Sequence, residues 1–386
     1  MKNTIKMSLV AAVAVAGLSS TASAQPLEEA IKNVDISGSM VYRYNDYGDD
    51  KNLKNKTDNN YKVAVSLKSK VNDYITATVR VVAGDGFQGK VLSTKNENDK
   101  NLSTEISNAN FTLKTDYATV IAGKQGLTTP WTVAIDSDGN EQTGTGLLAL
   151  VPAGPVTFAA AYFNQTNLDA AKAGDIKLGS AGLNVLDGSE NIATVGVLGN
   201  AGPVALDAWY LDADDVFDSF TIGAKTTIDM ITAELRYASL DLDNVDIDNN
   251  IIIAKLAADV DIFNAYLQYG KTDKEGGITA LDNDAKTTMT GWNTNVNGKA
   301  DADYWRVGAG MDVMSNLNVS INYADLDYKD MLTDNDKEEN ELYTQITHKM
   351  GKNLTTYVRL GTYEVEEEGE EIVDATAGRL QIAYTF

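Results

Sequence analysis

The sequence predicts an all-β fold, a transmembrane antiparallel β-barrel of about eighteen strands with short periplasmic turns, long extracellular loops and an inward third loop. Two patterns predict it: apolar and polar residues alternate along many segments, and short links alternate with long ones. The alternation is clearest in residues 378–386, where every second residue from Leu380 to Phe386 is apolar. We expect this last strand to pair with the first and close the sheet.

The first 24 residues have the pattern of a secretory signal peptide. Lys2 and Lys6 precede an apolar run, and residues 22–24 are the small residues of a cleavage site. The run is too short for a transmembrane helix, and no later stretch has the required length. We therefore expect residues 25–35 to form a short periplasmic turn or helix and residues 36–386 to form a single transmembrane barrel.

Candidate strands follow one another from Ile36 to the last residue. The five prolines lie outside them or at their ends, as a hydrogen-bonded sheet requires. The predicted strands cover 36–45, 61–69, 75–83, 107–113, 118–124, 147–151, 156–164, 192–198, 204–211, 219–226, 231–239, 251–258, 262–269, 303–311, 317–325, 341–348, 354–362 and 375–386.

The links between these strands alternate in length. Short links such as 71–73, 200–203 and 351–353 contain turn residues. A soluble β-sandwich, the alternative fold, would mix link lengths at both ends, whereas an outer-membrane barrel separates them. The long links are predicted at 46–60, 84–104, 126–146, 165–190, 241–250, 270–302, 326–340 and 363–374.

Composition restricts the chemistry of the chain. A net charge of −23 argues against nucleic acid as a partner and favours cations. With no cysteine and only His348, disulfides, thiol catalysis and most histidine chemistry are excluded. His348 has no nucleophile or acid at a telling position, so we expect no enzyme activity. The acidic run Glu364–Glu371 is predicted to be a solvated loop, with divalent bridging at the cell surface as the alternative.

Arginine occurs only inside the predicted strands. Nearly every neighbour of an arginine is apolar or aromatic, and neighbours along a strand point to opposite faces. If the apolar face contacts lipid, the arginines face the lumen and avoid the roughly 2–4 kcal/mol cost of a cation at the bilayer midplane. The alternative is the solvated face of a soluble sheet. The predicted pore-lining basic residues are Arg43, Arg80, Arg236, Arg306, Arg359 and Arg379.

The loop from Gly126 to Gly146 is the candidate constriction. It mixes apolar residues, among them Trp131, with acids, which suits a loop that folds inward and packs on the wall. The segment from Asp136 to Glu141 also resembles the start of a calcium loop, although an ordinary turn fits equally well. The predicted constriction residues are Trp131, Asp136, Asp138 and Glu141.

Several motifs resemble the campylobacter-type major outer-membrane porin family. They are P-L-E-E-A-I-K-N-V-D-I-S-G at 26–38, Y-R-Y at 42–44, V-I-A-G-K-Q at 120–125, A-I-D at 134–136 and G-T-G at 144–146. The resemblance implies an eighteen-stranded trimeric general porin with an inward third loop, cation preference and a calcium ion near the constriction. Asp136 matches the family's A-I-D carboxylate, and Asp138 is the candidate second calcium ligand.

Function is expected to follow this architecture. We expect conduction of ions and small hydrophilic solutes across the outer membrane. Weak to moderate cation preference is expected because third-loop carboxylates oppose the wall arginines at the narrowest point and the acidic outer loops concentrate cations ahead of it. The expected partners are outer-membrane lipid, lipopolysaccharide, further copies in a homotrimer, solutes and cations. No cofactor is required, although a calcium ion is possible. The alternatives are a solute-specific channel and a porin that also serves as a surface adhesin.

Overall fold

The computed structural model describes residues 34–84, 104–168, 177–178, 183–184, 186–243, 246–330 and 333–386. Eighteen strands form one antiparallel sheet that closes on itself, which confirms the predicted fold class. No helix among these residues is long and apolar enough to cross a membrane. The predicted signal peptide and residues 25–33 of the predicted N-terminal turn lie outside the described residues, and Val34 already belongs to the first strand.

The strands follow the barrel wall in chain order. The first nine are β1 Val34–Asp49, β2 Lys54–Lys70, β3 Ile75–Ala83, β4 Thr104–Lys114, β5 Thr119–Gly126, β6 Thr143–Ala153, β7 Val156–Thr166, β8 Ile192–Ala201 and β9 Val204–Ala213. The others are β10 Phe217–Ile228, β11 Ile231–Leu242, β12 Asn249–Val260, β13 Phe263–Thr272, β14 Ala300–Met314, β15 Leu317–Lys329, β16 Asp336–Lys349, β17 Leu354–Glu367 and β18 Glu370–Thr385. A two-residue pair, Lys177–Leu178 with Leu183–Asn184, lies in the β7–β8 link.

The last strand closes the barrel against the first. Strand β18 pairs with β1 from Ser39↔Thr385 to Asp49↔Ala375. Phe386 and Gly38 exchange two backbone hydrogen bonds of 2.9 and 3.0 Å. A side chain at position 38 would overlap the Phe386 ring, so glycine is needed where the ring lies against β1. The C-terminal residue is therefore part of the closing contact.

The two faces of the wall differ sharply. Leu235 is 56 % exposed, whereas the adjacent Arg236 is 3 % exposed. Leu380, Ile382 and Phe386 are likewise exposed on the outside of the closing strand. Neighbouring residues point to opposite faces of a strand, so the outside carries the apolar set and the inside the polar set.

Several predicted links are wrong because the strands continue through them. The β1–β2 link is only 50–53 and the β17–β18 link only 368–369, so most of 46–60 and 363–374 is paired strand. The acidic run 364–371 accordingly forms a hairpin of β17 and β18 instead of a solvated loop. Beyond the lipid both faces of a strand meet water, so alternation disappears while backbone pairing continues. The β9–β10 link, 214–216, is short although it lies at the long-link end, so the predicted alternation of link lengths does not hold there.

Two long links fold into the barrel. The third loop, residues 127–142, joins β5 to β6, and the seventh loop, residues 273–299, joins β13 to β14. Both carry fully buried apolar side chains, such as Trp131 and Leu281, that pack in one cluster with inner-face residues such as Phe163. The inward third loop was predicted, whereas the seventh was predicted only as a long polar link. Part of the lumen is thus filled by protein.

Candidate functional site

The third loop is fixed inside the barrel by its tryptophan. Trp131 is completely buried, and its indole Nε1 donates a 2.7 Å hydrogen bond to the Ser219 hydroxyl on β10. A buried indole pairs its N–H with an acceptor, and the surrounding apolar cluster supplies the packing. The loop is therefore held across part of the lumen, which puts its acidic segment next to the wall.

Asp138 contacts two arginines of the wall. Its Oδ1 lies 2.7 Å from Nη1 of Arg43 on β1 and 3.3 Å from Nη1 of Arg379 on β18. Arg43 also donates to the Ser137 carbonyl and to Gln381, and its side chain is only 5 % exposed. Asp138 itself is 60 % exposed, so one side of this ion pair faces open solvent.

Glu141 is held by two basic groups. Arg80 on β3 donates at 2.8 and 3.0 Å to its two oxygens, and Nζ of Lys62 on β2 lies 2.6 Å away. Burial opposes ionisation, but the hydrogen bonds from Arg80 and the charge of Lys62 outweigh it and lower the pKa of Glu141 to about 2. Sequence reasoning missed Lys62, because lysine is also common in the links. Its position on the inner face of a predicted strand was the available signal.

Asp136 is bonded within its own turn. Its carboxylate accepts hydrogen bonds from the backbone and the side-chain amide of Asn140. Burial, together with the charges of Asp138 and Asp284, raises the pKa of Asp136 despite those bonds. Burial and the charges of Asp136 and Asp284 also raise the pKa of Asp282 to about 7. These carboxylates form a second acidic group that sequence reasoning did not assemble.

The seventh loop packs against the third. The Leu281 amide donates to the Trp131 carbonyl at 2.9 Å, and the Gln142 side chain donates to the Leu281 carbonyl at 2.7 Å. The Ser137 amide donates to Asp284. Apolar residues in 278–296, including Met289 and Val296, are buried like Trp131. They were the sequence signal for a second inward loop.

Trp292 of the seventh loop contacts two arginines of the barrel wall. Its ring centroid lies 5.0 Å from the Arg359 guanidinium and 5.8 Å from that of Arg379, within the range of cation–π contacts. These two arginines are direct partners on β17 and β18. Glu341 on β16 accepts 2.7 Å hydrogen bonds from the Trp292 amide and from the next amide along the chain.

The other two arginines lie on the opposite part of the wall. Arg236 forms two hydrogen bonds, of 2.8 and 3.1 Å, with Asp207. Arg306 donates to Gln268 at 3.3 Å and lies 5.7 Å from the Tyr266 ring. Four of the six arginines contact the inward loops, whereas Arg236 and Arg306 bond to other residues of the wall.

A comparison of the sequence with models of known protein families identifies the family of this barrel. The family model described as Campylobacter major outer membrane protein matches residues 1–386. The chain belongs to this family. It is an outer-membrane porin, located in the cell outer membrane.

Solved structures show the same fold at low identity. OccAB1 from Acinetobacter baumannii matches with a TM-score of 0.74 and 12% identity, covering 96% of this porin and 99% of that chain. OpdL from Pseudomonas aeruginosa matches with a TM-score of 0.74, 14% identity and coverages of 92% and 99%. A BenF-like porin from Pseudomonas fluorescens Pf-5 matches with a TM-score of 0.73 and 12% identity, covering 92% of this porin and 99% of that chain. A search of curated proteins finds no match.

Both candidate calcium ligands have protein partners in the porin. Asp138 pairs with arginines, and both oxygens of Asp136 accept hydrogen bonds from Asn140. In the described part of the chain, no three histidine or acidic side chains are arranged to hold a metal ion. A calcium ion between the two residues would compete with these partners.

His348 lies far from the loops. It faces Asn316, which belongs to the short β14–β15 turn, at 3.1 Å and is near the end of β16. His348 thus contacts a turn at the short-link end of the porin.

Proposed function

We propose that this porin is a general diffusion channel for ions and small hydrophilic solutes, with weak to moderate cation preference. The observation that carries the proposal is the pair of inward loops, which narrows the lumen and sets carboxylates opposite a row of basic wall residues. A narrow, polar and charged passage selects small hydrophilic solutes by size and weakly by charge.

The sign of the preference follows from which charges are paired. Arg43 is balanced by Asp138, and Glu141 is balanced by Arg80 and Lys62. Asp136, Asp282 and Asp284 form no ion pair with any described residue. Their charge acts within a few ångströms of a permeating ion, whereas charges at a wide mouth are screened beyond roughly 8–10 Å. The surplus at the loops therefore favours cations.

A reversal potential in a KCl gradient tests this proposal. We expect Asp136→Asn with Asp138→Asn to lower the cation preference, most clearly at low salt, because one unpaired charge is lost and Arg43 loses its partner. The matched control is Asp73→Asn with Asp116→Asn, which removes two exposed carboxylates in the short turns. An unchanged reversal potential in the loop variant would falsify the role of these acids.

A solute-specific channel is the second candidate. Trp292, Arg359 and Tyr343 form a compact aromatic and cationic group where the seventh loop meets the wall, and such a group could select among solutes. Liposome swelling separates the two functions. A general porin gives rates that fall smoothly with solute size, whereas a specific channel gives one class of solute a saturable rate out of line with its size.

Calcium binding stays a prediction at Asp136 and Asp138. An ion shared by both would have to displace Arg43 from Asp138 and Asn140 from Asp136. Thermal unfolding with and without calcium tests it. Binding predicts a rise in the unfolding temperature that the double asparagine variant loses, and an equal temperature in both conditions excludes the site.

Assembly is also proposed from the family resemblance. The exposed apolar outer face suits contact with lipid, with lipopolysaccharide and with two further copies in a homotrimer. Chemical cross-linking in intact outer membranes tests the copy number, and bands no larger than a dimer would contradict a trimer. An adhesin role of the loops is the remaining alternative and would be tested by binding of whole cells to host surfaces.

A further inference from the structure

A separate cavity lies on the inner face of β8–β11. It has a volume of about 360 Å³ and is lined by charged residues of the wall and by Lys286 of the seventh loop. Pro155, in the short β6–β7 turn, also lines it. The cavity is thus placed between the seventh loop and the short-turn end of the lumen. Its charged lining residues are Asp207, Lys225, Glu234, Arg236 and Lys286.

The strand register extends this lining into one row across five strands. Lys225 on β10 is the direct partner of Glu234 on β11, which is in turn the partner of Lys255 on β12. Lys255 is the partner of Gln268 on β13, and Gln268 is the partner of Arg306 on β14. Direct partners share a face of the sheet, so these five side chains form a continuous row on the inner wall, here named the basic row.

The charges of the cavity and the basic row do not cancel. Five basic residues face two acids, so five minus two leaves a surplus of three positive charges. Asp207 is engaged by Arg236, and Glu234 stands between Lys225 and Lys255. The five basic residues are Lys225, Arg236, Lys255, Lys286 and Arg306.

Several of these cationic groups have donors without acceptors. The Nε atoms of Arg236 and Arg306 are buried and have no hydrogen-bond partner among the described residues. Lys255 is half-buried and forms no hydrogen bond or ion pair with any described residue. Buried donors normally find acceptors, because a buried polar group without one costs free energy. The wall is therefore short of anionic groups.

Gly223 keeps room for the Arg236 guanidinium in this wall. It is the direct partner of Asp207 on one side and of Arg236 on the other. A Cβ at position 223 would overlap the guanidinium, so only glycine allows Arg236 to lie flat beside Asp207. The cationic group is built into the sheet and does not depend on a flexible surface side chain.

We propose that this cavity is a binding subsite for a small dianionic solute, specifically a short dicarboxylate. Lys225 lines the cavity, and Lys255 lies beside it on the basic row, two strands away and roughly 10 Å between backbones, so each ammonium group can take one carboxylate of a four-carbon chain. Leu198 and Ala205 in the lining provide apolar contacts for that chain. The proposal goes beyond general diffusion and rests on it only in that the lumen must conduct.

Block of single-channel KCl current by succinate tests the subsite. Succinate is added on the short-turn side, and succinamide, which has nearly the same shape without charge, is the ligand control. The test variant is Lys225→Gln with Lys255→Gln. The matched control is Lys349→Gln with Lys352→Gln, which removes two exposed charges at the same end of the barrel.

The expected result is specific to charge and position. Succinate should block the wild type and the Lys349/Lys352 control equally, whereas the Lys225/Lys255 variant should need at least about tenfold more succinate, since each charge-assisted bond contributes about that factor. Succinamide should block none of them. Equal succinate block in both variants, or equal block by succinamide, overturns the proposal.

Two further measurements keep the outcome interpretable. KCl conductance and the heat-dependent shift in gel mobility, measured without succinate, show whether each variant forms a barrel. Lys286→Gln, in the loop, removes another charge that lines the cavity without changing the wall and should also weaken block. The subsite is tested by comparing succinate block between variants, whereas the cation preference is tested by the wild-type reversal potential in a KCl gradient, so the two proposals can fail separately.

Discussion

At the scale of single residues, the ionisation of a few loop carboxylates decides the charge of the constriction. The pKa of Glu141 is lowered to about 2, so its stabilising contacts with Arg80 and Lys62 are complete above its ordinary pKa and are lost as pH falls through about 2. Asp282 has a pKa raised to about 7. Its contribution to the free energy of unfolding is therefore complete at low pH, where it is neutral, and is lost as pH rises through about 7 and it becomes charged. Of these two carboxylates, only Asp282 changes charge near neutrality.

Ion preference should therefore depend on pH between 6 and 8. Lowering the pH protonates Asp282, removes one negative charge beside Asp136 and should reduce the cation preference. Asp282→Asn should have the low preference at both pH values, so the pH dependence of its reversal potential should be lost. The measurement is the reversal potential at pH 6 and 8 in the same salt gradient. A variant that keeps the wild-type pH dependence would show that another group is responsible.

Sequence alone predicted that the arginines face the lumen, but it did not predict their partners. The alternation of apolar and polar residues placed Arg43 and Arg80 on the face opposite the apolar one. This alternation can be read from neighbouring residues along one strand. The pairing of Arg43 with Asp138 joins residues 95 positions apart through the path of a loop, which no local pattern encodes. The partner of Lys62, Glu141, likewise lies far away along the chain, in the same loop.

At the scale of elements, the closing strand depends on its last residue. Phe386 makes two backbone hydrogen bonds to Gly38, and its ring stacks on Tyr384 with centroids 5.9 Å apart. Deleting Phe386 removes these contacts at the seam where the first and last strands meet, so membrane insertion should fall several-fold.

The control for this deletion is Glu366→Gln, which changes one exposed carboxylate at the far end of the neighbouring strand. Both variants are compared by the fraction that shows heat-dependent gel mobility after outer-membrane isolation. The control should insert like the wild type. Equal insertion of the deletion and the control would mean that the other β1–β18 pairs close the barrel without Phe386.

All eighteen predicted strands match strands of the barrel, although their ends differ. The segment 341–348 lies within β16, which begins already at Asp336. Both faces of the strand are polar around Glu338 and Glu339, so the period of two gives no signal there, yet these residues pair with 366 and 365 on β17.

The seventh loop was predicted as a polar link although it packs inside the barrel. Its apolar residues are isolated in polar sequence, and only the barrel interior gives them a common packing surface.

At the scale of the whole molecule, the two ends of the barrel differ in kind. One end carries turns of a few residues, such as 71–74, whereas the other carries strand extensions and the two inward loops. The long-loop end is also strongly acidic, as in the β17–β18 hairpin. The outer-membrane location and this asymmetry together predict that the long-loop end faces outside the cell.

Single cysteines test this orientation cleanly, because the chain has no cysteine of its own. Glu366→Cys, exposed near the β17–β18 hairpin, should react in intact cells with a membrane-impermeant maleimide larger than the channel can pass. Asp73→Cys, exposed in the β2–β3 turn, should react only after the outer membrane is permeabilised. Because both residues are exposed acids outside the lumen, their reactivity differs only through the side of the membrane on which they lie. Labelling of Asp73→Cys but not Glu366→Cys in intact cells would reverse the orientation and place the inward loops at the periplasmic end.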